Sequence, residues 1–246
     1  MRNKNEVKKF VIISTSRSGS TLLATLLNSH PRILCHRELF HKSKVATVLG
    51  IKDNSEQRLE ERDRNPCLFL RGIFDQTFGY EIIGFKIHLN QNTEVLDYLN
   101  KTKDITKIIL KRRNLIKQEI SRQMAYSTGL WKTTIQRDSQ PKIILDLDYA
   151  KDRIKENQRR YAELLNRLNK NKQKYRVLFY EDLIEKDIRE KTLRGFLPFL
   201  GAHGDEIILK TPLKKQNADR VEDLVKNLDD LKNAFRGTEI ERMIEE

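Results

Sequence analysis

Residues 9–40, KFVIISTSRSGSTLLATLLNSHPRILCHRELF, place a strand, a loop of phosphate size, a helix and a carboxylate in one short stretch. Phe10, Val11, Ile12 and Ile13 form an apolar, β-branched run without polar alternation, the pattern of a strand buried on both faces of a parallel sheet. Residues 14–20 break it with hydroxyls, one glycine and one arginine. From Ser20 onward, Leu22, Leu23, Leu26 and Leu27 recur at helical spacing, and Ser20 or Thr21 is placed to cap the first turn. The loop therefore ends on a helix N-terminus, where unpaired N–H groups and the helix dipole receive phosphate or sulfate. Arg17 adds a full charge, Gly19 permits close backbone approach and a positive φ, and Ser18, Ser20 and Thr21 add hydroxyl donors. A nucleoside triphosphatase loop would need Gly-Lys-Ser/Thr, and no Gly-Lys pair occurs anywhere in the chain.

Outward from this stretch the same design recurs. Residues 32–35 suit a short strand leading to Glu38. Residues 81–89, EIIGFKIHL, suit a further strand that carries Lys86 and His88 at alternate positions, hence on one face. Residues 93–101 read as a helix. Residues 106–110, TKIIL, read as a buried strand that runs into Lys111, Arg112, Arg113 and Asn114 and then into a helix over 115–126. A buried strand that ends in arginine and re-enters a helix makes a second anion site, with Arg113 as a bidentate fork and Ser121 as a hydroxyl eight residues on. An amphipathic helix spans 146–174, a strand 177–180, and a helix ends at Gly201 as its C-cap. Glu181 and Asp182, adjacent acids at a strand end, read as loop ties rather than as a catalytic pair. Strands alternating with helices give a three-layer α/β sandwich with a mainly parallel sheet and both anion motifs at carboxyl ends of strands.

The chain has 246 residues, 38% hydrophobic and 34% charged, which suits one globular domain over 1–246. Forty-eight Lys and Arg against 35 Asp and Glu give a net charge of +13 and favour anionic ligands. The basic residues are interspersed with acids, as in RIKENQRRYAELLNRLNKNKQK, and regularly spaced aromatic platforms are missing, so nucleic acid is not the expected partner. Cys35 and Cys67 form neither a disulfide framework nor metal-ligand spacing, and no run of about twenty apolar residues occurs, so the expectation is a cytoplasmic chain without a transmembrane segment.

The stretch SRSGSTLLATLLNSHPRILCHRELF resembles the 5′-phosphosulfate loop, helix and acidic segment of bacterial and Golgi-type sulfotransferases. In these a Lys or Arg precedes Ser-Gly-Ser/Thr-Thr, as Arg17, Ser18, Gly19, Ser20 and Thr21 do here. The resemblance implies a P-loop-like fold, 3′-phosphoadenosine 5′-phosphosulfate (PAPS) as donor, no metal, and a small-molecule, glycan or lipid alcohol as acceptor. It also implies a 3′-phosphate site at Arg113 and Ser121, whose spacing of eight matches the family. Lys86 and His88 resemble the Lys-x-His of cytosolic-type members, in which the histidine is the base. Glu38 stands where bacterial and tyrosylprotein types carry a glutamate base, and the loop type favours Glu38. Desolvation beside Leu39 and Phe40 would raise its pKa and His36, Arg37 and His41 would lower it, a balance left open at this level. Residues 42–80 correspond to a region that shapes the acceptor pocket. In the segment 210–246, Lys214, Lys215 and Gln216 resemble the basic loop that closes over the adenosine and 3′-phosphate, ahead of a C-terminal helix. The alternatives from other classes are a non-catalytic nucleotide- or RNA-binding protein and a divergent small-molecule kinase. The missing Gly-Lys counts against the kinase, and the Arg113 and Ser121 pair counts against both.

Overall fold

The computed structural model describes residues 6–48, 52–53, 55–131, 134, 141–202, 208–214 and 220–245. Its centre is a five-stranded parallel sheet of β1 (Lys8–Ser14), β2 (Ile33–Glu38), β5 (Ile82–His88), β6 (Ile105–Lys111) and β7 (Tyr175–Phe179), in the order β2-β5-β1-β6-β7. A two-stranded ribbon, β3 (Val45–Ala46) with β4 (Lys52–Asp53), lies apart from it. The apolar run of β1 explains its central place, because both of its faces are covered. Val11 and Ile13 belong to one core cluster with Phe85, Ile109 and Tyr161, to which α3 (Pro66–Asp75), α4 (Thr93–Lys101) and α6 (Leu147–Lys170) contribute. Phe10 and Ile12 face the other way, against α1 (Ser20–Leu27) and α8 (Lys186–Leu200). A third cluster joins α5 (Leu115–Thr128) and α6 to the C-terminal elements.

Close packing fixes details that composition leaves open. A Cβ on Gly84 of β5 would lie 2.5 Å from the Phe10 ring, so only glycine lets the phenyl lie flat on the neighbouring strand. Phe10 is fully buried, and Phe10→Ala would leave a cavity costing about 3–5 kcal/mol. Gly201 ends α8 with φ +89, as the sequence leads one to expect. Pro66 opens α3 at a position where its missing N–H is harmless. In the C-terminal segment a 3-10 turn at Val221–Asp223 precedes α9 (Leu228–Phe235) and α10 (Arg242–Glu245).

Register decides where the chemistry lies. Ser14 pairs with His88 on one side and with Leu110 on the other, and Glu38 pairs with Lys86 across a bulge in β2. The carboxyl ends of four strands thus meet at one edge of the sheet, where open α/β sheets bind ligands.

Candidate active site

The loop after β1 rests on a floor of buried hydrogen bonds. Tyr161 of α6 accepts the Thr15 N–H at 2.9 Å and donates to the Leu110 carbonyl at 2.7 Å. Gln118 of α5 donates to Thr15 Oγ1, the Ser16 carbonyl and Ser18 Oγ at 2.9, 2.7 and 3.1 Å. The Ser18 side chain is therefore part of this floor, fully buried and bonded to the Thr15 carbonyl, and it is not among the side chains that line the cavity above. Gly19 takes φ +84, and a Cβ there would lie 2.4 Å from Tyr180 Cδ2, so the turn needs glycine on both counts. Gly19 is itself the N-cap of α1, which has no side-chain cap. The expected Ser20 or Thr21 cap is absent because both residues lie inside the helix, after Gly19, with their hydroxyls turned to one cation: Lys86 Nζ donates to Thr21 Oγ1 at 3.0 Å and to Ser20 Oγ at 3.4 Å.

Lys86 is the hub of the site. It is almost fully buried, and it also donates to Glu38 Oε1 at 2.7 Å. Gln91 Nε2 donates to Glu38 Oε2 at 2.8 Å, and Gln91 Oε1 accepts the His88 backbone N–H at 2.9 Å. His88 Nδ1 stands 4.0 Å from Glu38 Oε2, and Nε2 lies 3.4 Å from Ser20 Oγ. Burial pushes the Glu38 carboxyl up, but Lys86 and then His88 more than offset this and hold it at about 2. The balance left open by the sequence is thus resolved downward, because a buried ammonium in direct contact outweighs desolvation. Burial and Lys86 lower His88 to about 4, which keeps its imidazole neutral at pH 7.

A cavity of about 1290 Å³ opens above these groups. It is lined by Arg17, Gly19, Ser20, Thr21, Glu38, Lys86, His88 and Ser121, so most of the residues singled out from the sequence converge. Arg17, at φ +63 and with its pKa lowered to about 10 mainly by burial, donates from Nε to Ser121 Oγ at 3.0 Å and from Nη1 to the Trp131 carbonyl. Arg113 does not join them. Its guanidinium forks onto Asp182 at 2.7 and 2.9 Å and stacks 4.2 Å over Phe179, with half of the side chain exposed. Its neighbour Arg112 lines the cavity instead, 4.6 Å over the Tyr180 ring, with a buried Nε that lacks a hydrogen-bond partner. Glu181 and Asp182 tie the loop, as expected: Glu181 accepts the Arg113 and Asn114 N–H groups. Lys214 lines the cavity, whereas Lys215 and Gln216 lie outside the described residues.

Gln91, Arg112, Gln118, Tyr161 and Tyr180 went unread in the sequence as site residues. Alternation could have flagged Arg112 beside Arg113, but no local pattern marks a glutamine or tyrosine that reaches the loop from a distant helix.

Residues 10–206 match the sulfotransferase family, and the chain belongs to it. It is 25% identical over 232 residues to Nodulation protein H of Rhizobium tropici, covering 93% of this chain and 89% of that protein. Its fold is similar to the sulfotransferase domain of the Synechococcus PCC 7002 olefin synthase, with TM-score 0.51, 19% identity, and 88% of this chain and 80% of that one covered. It is also similar to the sulfotransferase domain of the curacin biosynthetic pathway, with TM-score 0.50, 15% identity, and 86% and 80% covered. The protein is thus a sulfotransferase with an α/β fold, and among the described residues no helix is long and apolar enough to cross a membrane.

Proposed function

We propose that the cavity transfers the sulfuryl group of PAPS to an alcohol of a small-molecule, glycan or lipid acceptor, within one domain covering 1–246. One observation carries this reading: Lys86 bridges the anion loop, at Ser20 and Thr21, to Glu38, so a charge-neutralising cradle and a proton acceptor share one cation. The lining suits the donor. Among the described residues, eleven lysine and arginine side chains face three carboxylates, and the buried Nε of Arg112 makes no hydrogen bond, with Glu181 Oε1 4.0 Å away. The acceptor oxygen forms a bond to sulfur as the bond from sulfur to the 5′-phosphate oxygen breaks. Arg17, the N–H groups at the start of α1 and Lys86 stabilise charge on the leaving phosphate. Glu38 takes the proton, since each of its oxygens keeps a lone pair beyond the bonds from Lys86 and Gln91. His88, neutral and turned toward Ser20, holds the donor side.

For the 3′-phosphate, Arg112 with Ser121 is the reading that the cavity lining supports. The spacing of Arg113 to Ser121 keeps Arg113 as the second reading, in which it leaves Asp182 for the ligand. Within 42–80, Lys42, Lys44, Arg62 and Asp63 reach the cavity, and Arg62 holds the Leu39, His41 and Lys44 carbonyls, which supports a role of this region in shaping the acceptor side. Cys35 and Cys67 are both unpaired, which suits a reducing, cytoplasmic setting. The test is incubation of the protein with sulfur-labelled PAPS and a cell metabolite extract. Label should move to an organic acceptor with wild type and not with Glu38→Gln. A protein that neither transfers label nor binds the desulfated donor would contradict the reading.

A further inference from the structure

The donor does not account for the whole charge of the cavity. PAPS brings about four negative charges, taking about two for a terminal phosphate, against eleven lining cations met by three lining carboxylates and by Glu119 behind Arg122. The volume, about 1290 Å³, also exceeds the roughly 300–1000 Å³ of an ordinary ligand pocket. Space and positive charge are both left over for a second anion.

Part of that surplus lies on the wall formed by α5 and the first turns of α6. Arg122 pairs with Glu119, with side chains only 3% and 1% exposed, and its guanidinium donates to the Tyr149 hydroxyl at 2.7 Å while lying 4.5 Å over the Tyr149 ring. The charge of Arg153 is also close enough to favour the ionised form of Glu119, while the direct bonds to that carboxylate come from Arg122. Arg153 lines the cavity, yet its Nε is buried without a hydrogen-bond partner, a deficit that a bound carboxylate or phosphate would remove. Helix geometry places this group relative to the chemistry. Arg160 of α6 donates to the carbonyl of Leu89, the residue after His88, at 3.0 Å. Arg153 lies two turns earlier on the same face, about 10 Å farther along the helix. Tyr126 and Trp131, both exposed and edge to face at 5.0 Å, add an aromatic surface to the same cavity.

We propose that this wall anchors the acceptor, and that the acceptor alcohol belongs to a molecule carrying a carboxylate or phosphate that Arg153 receives. The proposal rests on the sulfuryl-transfer reading for the identity of the second ligand as acceptor. The test titrates the protein, saturated with 3′-phosphoadenosine 5′-phosphate, with 4-nitrophenyl β-D-glucuronide and with the neutral 4-nitrophenyl β-D-glucoside. The glucuronide should bind about tenfold more tightly, the scale of one charge-assisted contact. Arg153→Gln should abolish that preference while leaving nucleotide affinity unchanged, and Arg153→Lys should restore part of it. Equal affinity for the two probes, no heat from either, a preference that survives Arg153→Gln, or expulsion of the glucuronide by the nucleotide overturns the proposal. Failure of the nucleotide to bind would instead sink the donor reading, and the same titration without nucleotide still tests Arg153.

Discussion

After β1 the chain turns over a floor of neutral hydrogen bonds, whereas after β6 it turns into two carboxylates. In the first turn Gln118 and Tyr161 satisfy the loop from below without touching its charge, so Arg17, Ser20 and Thr21 face the cavity. In the second, Glu181 accepts two backbone N–H groups and Asp182 takes both arms of Arg113. The cation that the sequence offers is compensated there, and the adjacent Arg112 is the one that faces the ligand space. Arg112 keeps only a longer contact, 4.0 Å from Nε to Glu181 Oε1, so an anion site is defined less by the presence of an arginine than by how closely the scaffold already pairs it.

The largest effect belongs to the carboxylate that shares Lys86 with the first turn. Glu38→Gln should lower turnover by about 10²- to 10⁴-fold with nucleotide binding preserved, the span for a positioned base, and His88→Asn should cost clearly less. Single-turnover rates with a verified acceptor rank the two, and the reverse order would move the base to His88. Next comes the first turn itself. Arg17→Ala should slow turnover by about 10²- to 10³-fold while weakening binding less, and a loss below about tenfold would remove Arg17 from leaving-group stabilisation.

A smaller effect is carried by pH. His88 and His36 are both lowered from 6.5 to about 4, chiefly by burial, so between these values the unfolded chain binds protons that the folded one does not. Stability must then rise with pH across that window and fall as pH drops from 6.5 to 4. Glu38, held at about 2, adds stability that is lost in turn on further acidification. Melting temperatures across this range should show the fall, and His88→Asn should flatten it. An unchanged slope would mean that His88 is protonated in the folded protein.

Those readings differ in how far the sequence supports them. The all-apolar run of β1 and the 3.6-residue spacing of α1 are local patterns, and both elements formed where those patterns lie. The alternation of Lys86 and His88 placed both on the face that meets Glu38, because a strand fixes side-chain direction by count alone. Glu38 was legible as a residue but not as an environment, since its partner Lys86 lies 48 residues away and the bulge at the end of β2 sets their register. Arg113 shows the same limit from the other side. Its spacing to Ser121 is visible in one line of sequence, whereas Asp182 reaches it from beyond β7.

The most direct measurement of the central claim is calorimetric binding of 3′-phosphoadenosine 5′-phosphate and of plain AMP to wild type, Arg112→Ala and Arg113→Ala. Wild type should prefer the bisphosphate by at least about tenfold, the scale of a charge-assisted phosphate contact. That preference should collapse in Arg112→Ala and persist in Arg113→Ala, which loses the Asp182 ion pair and the stack on Phe179, neither of which lines the cavity. Collapse in Arg113→Ala alone would return the 3′-phosphate to Arg113, and equal binding of the two nucleotides by wild type would contradict the assignment of this cavity to PAPS.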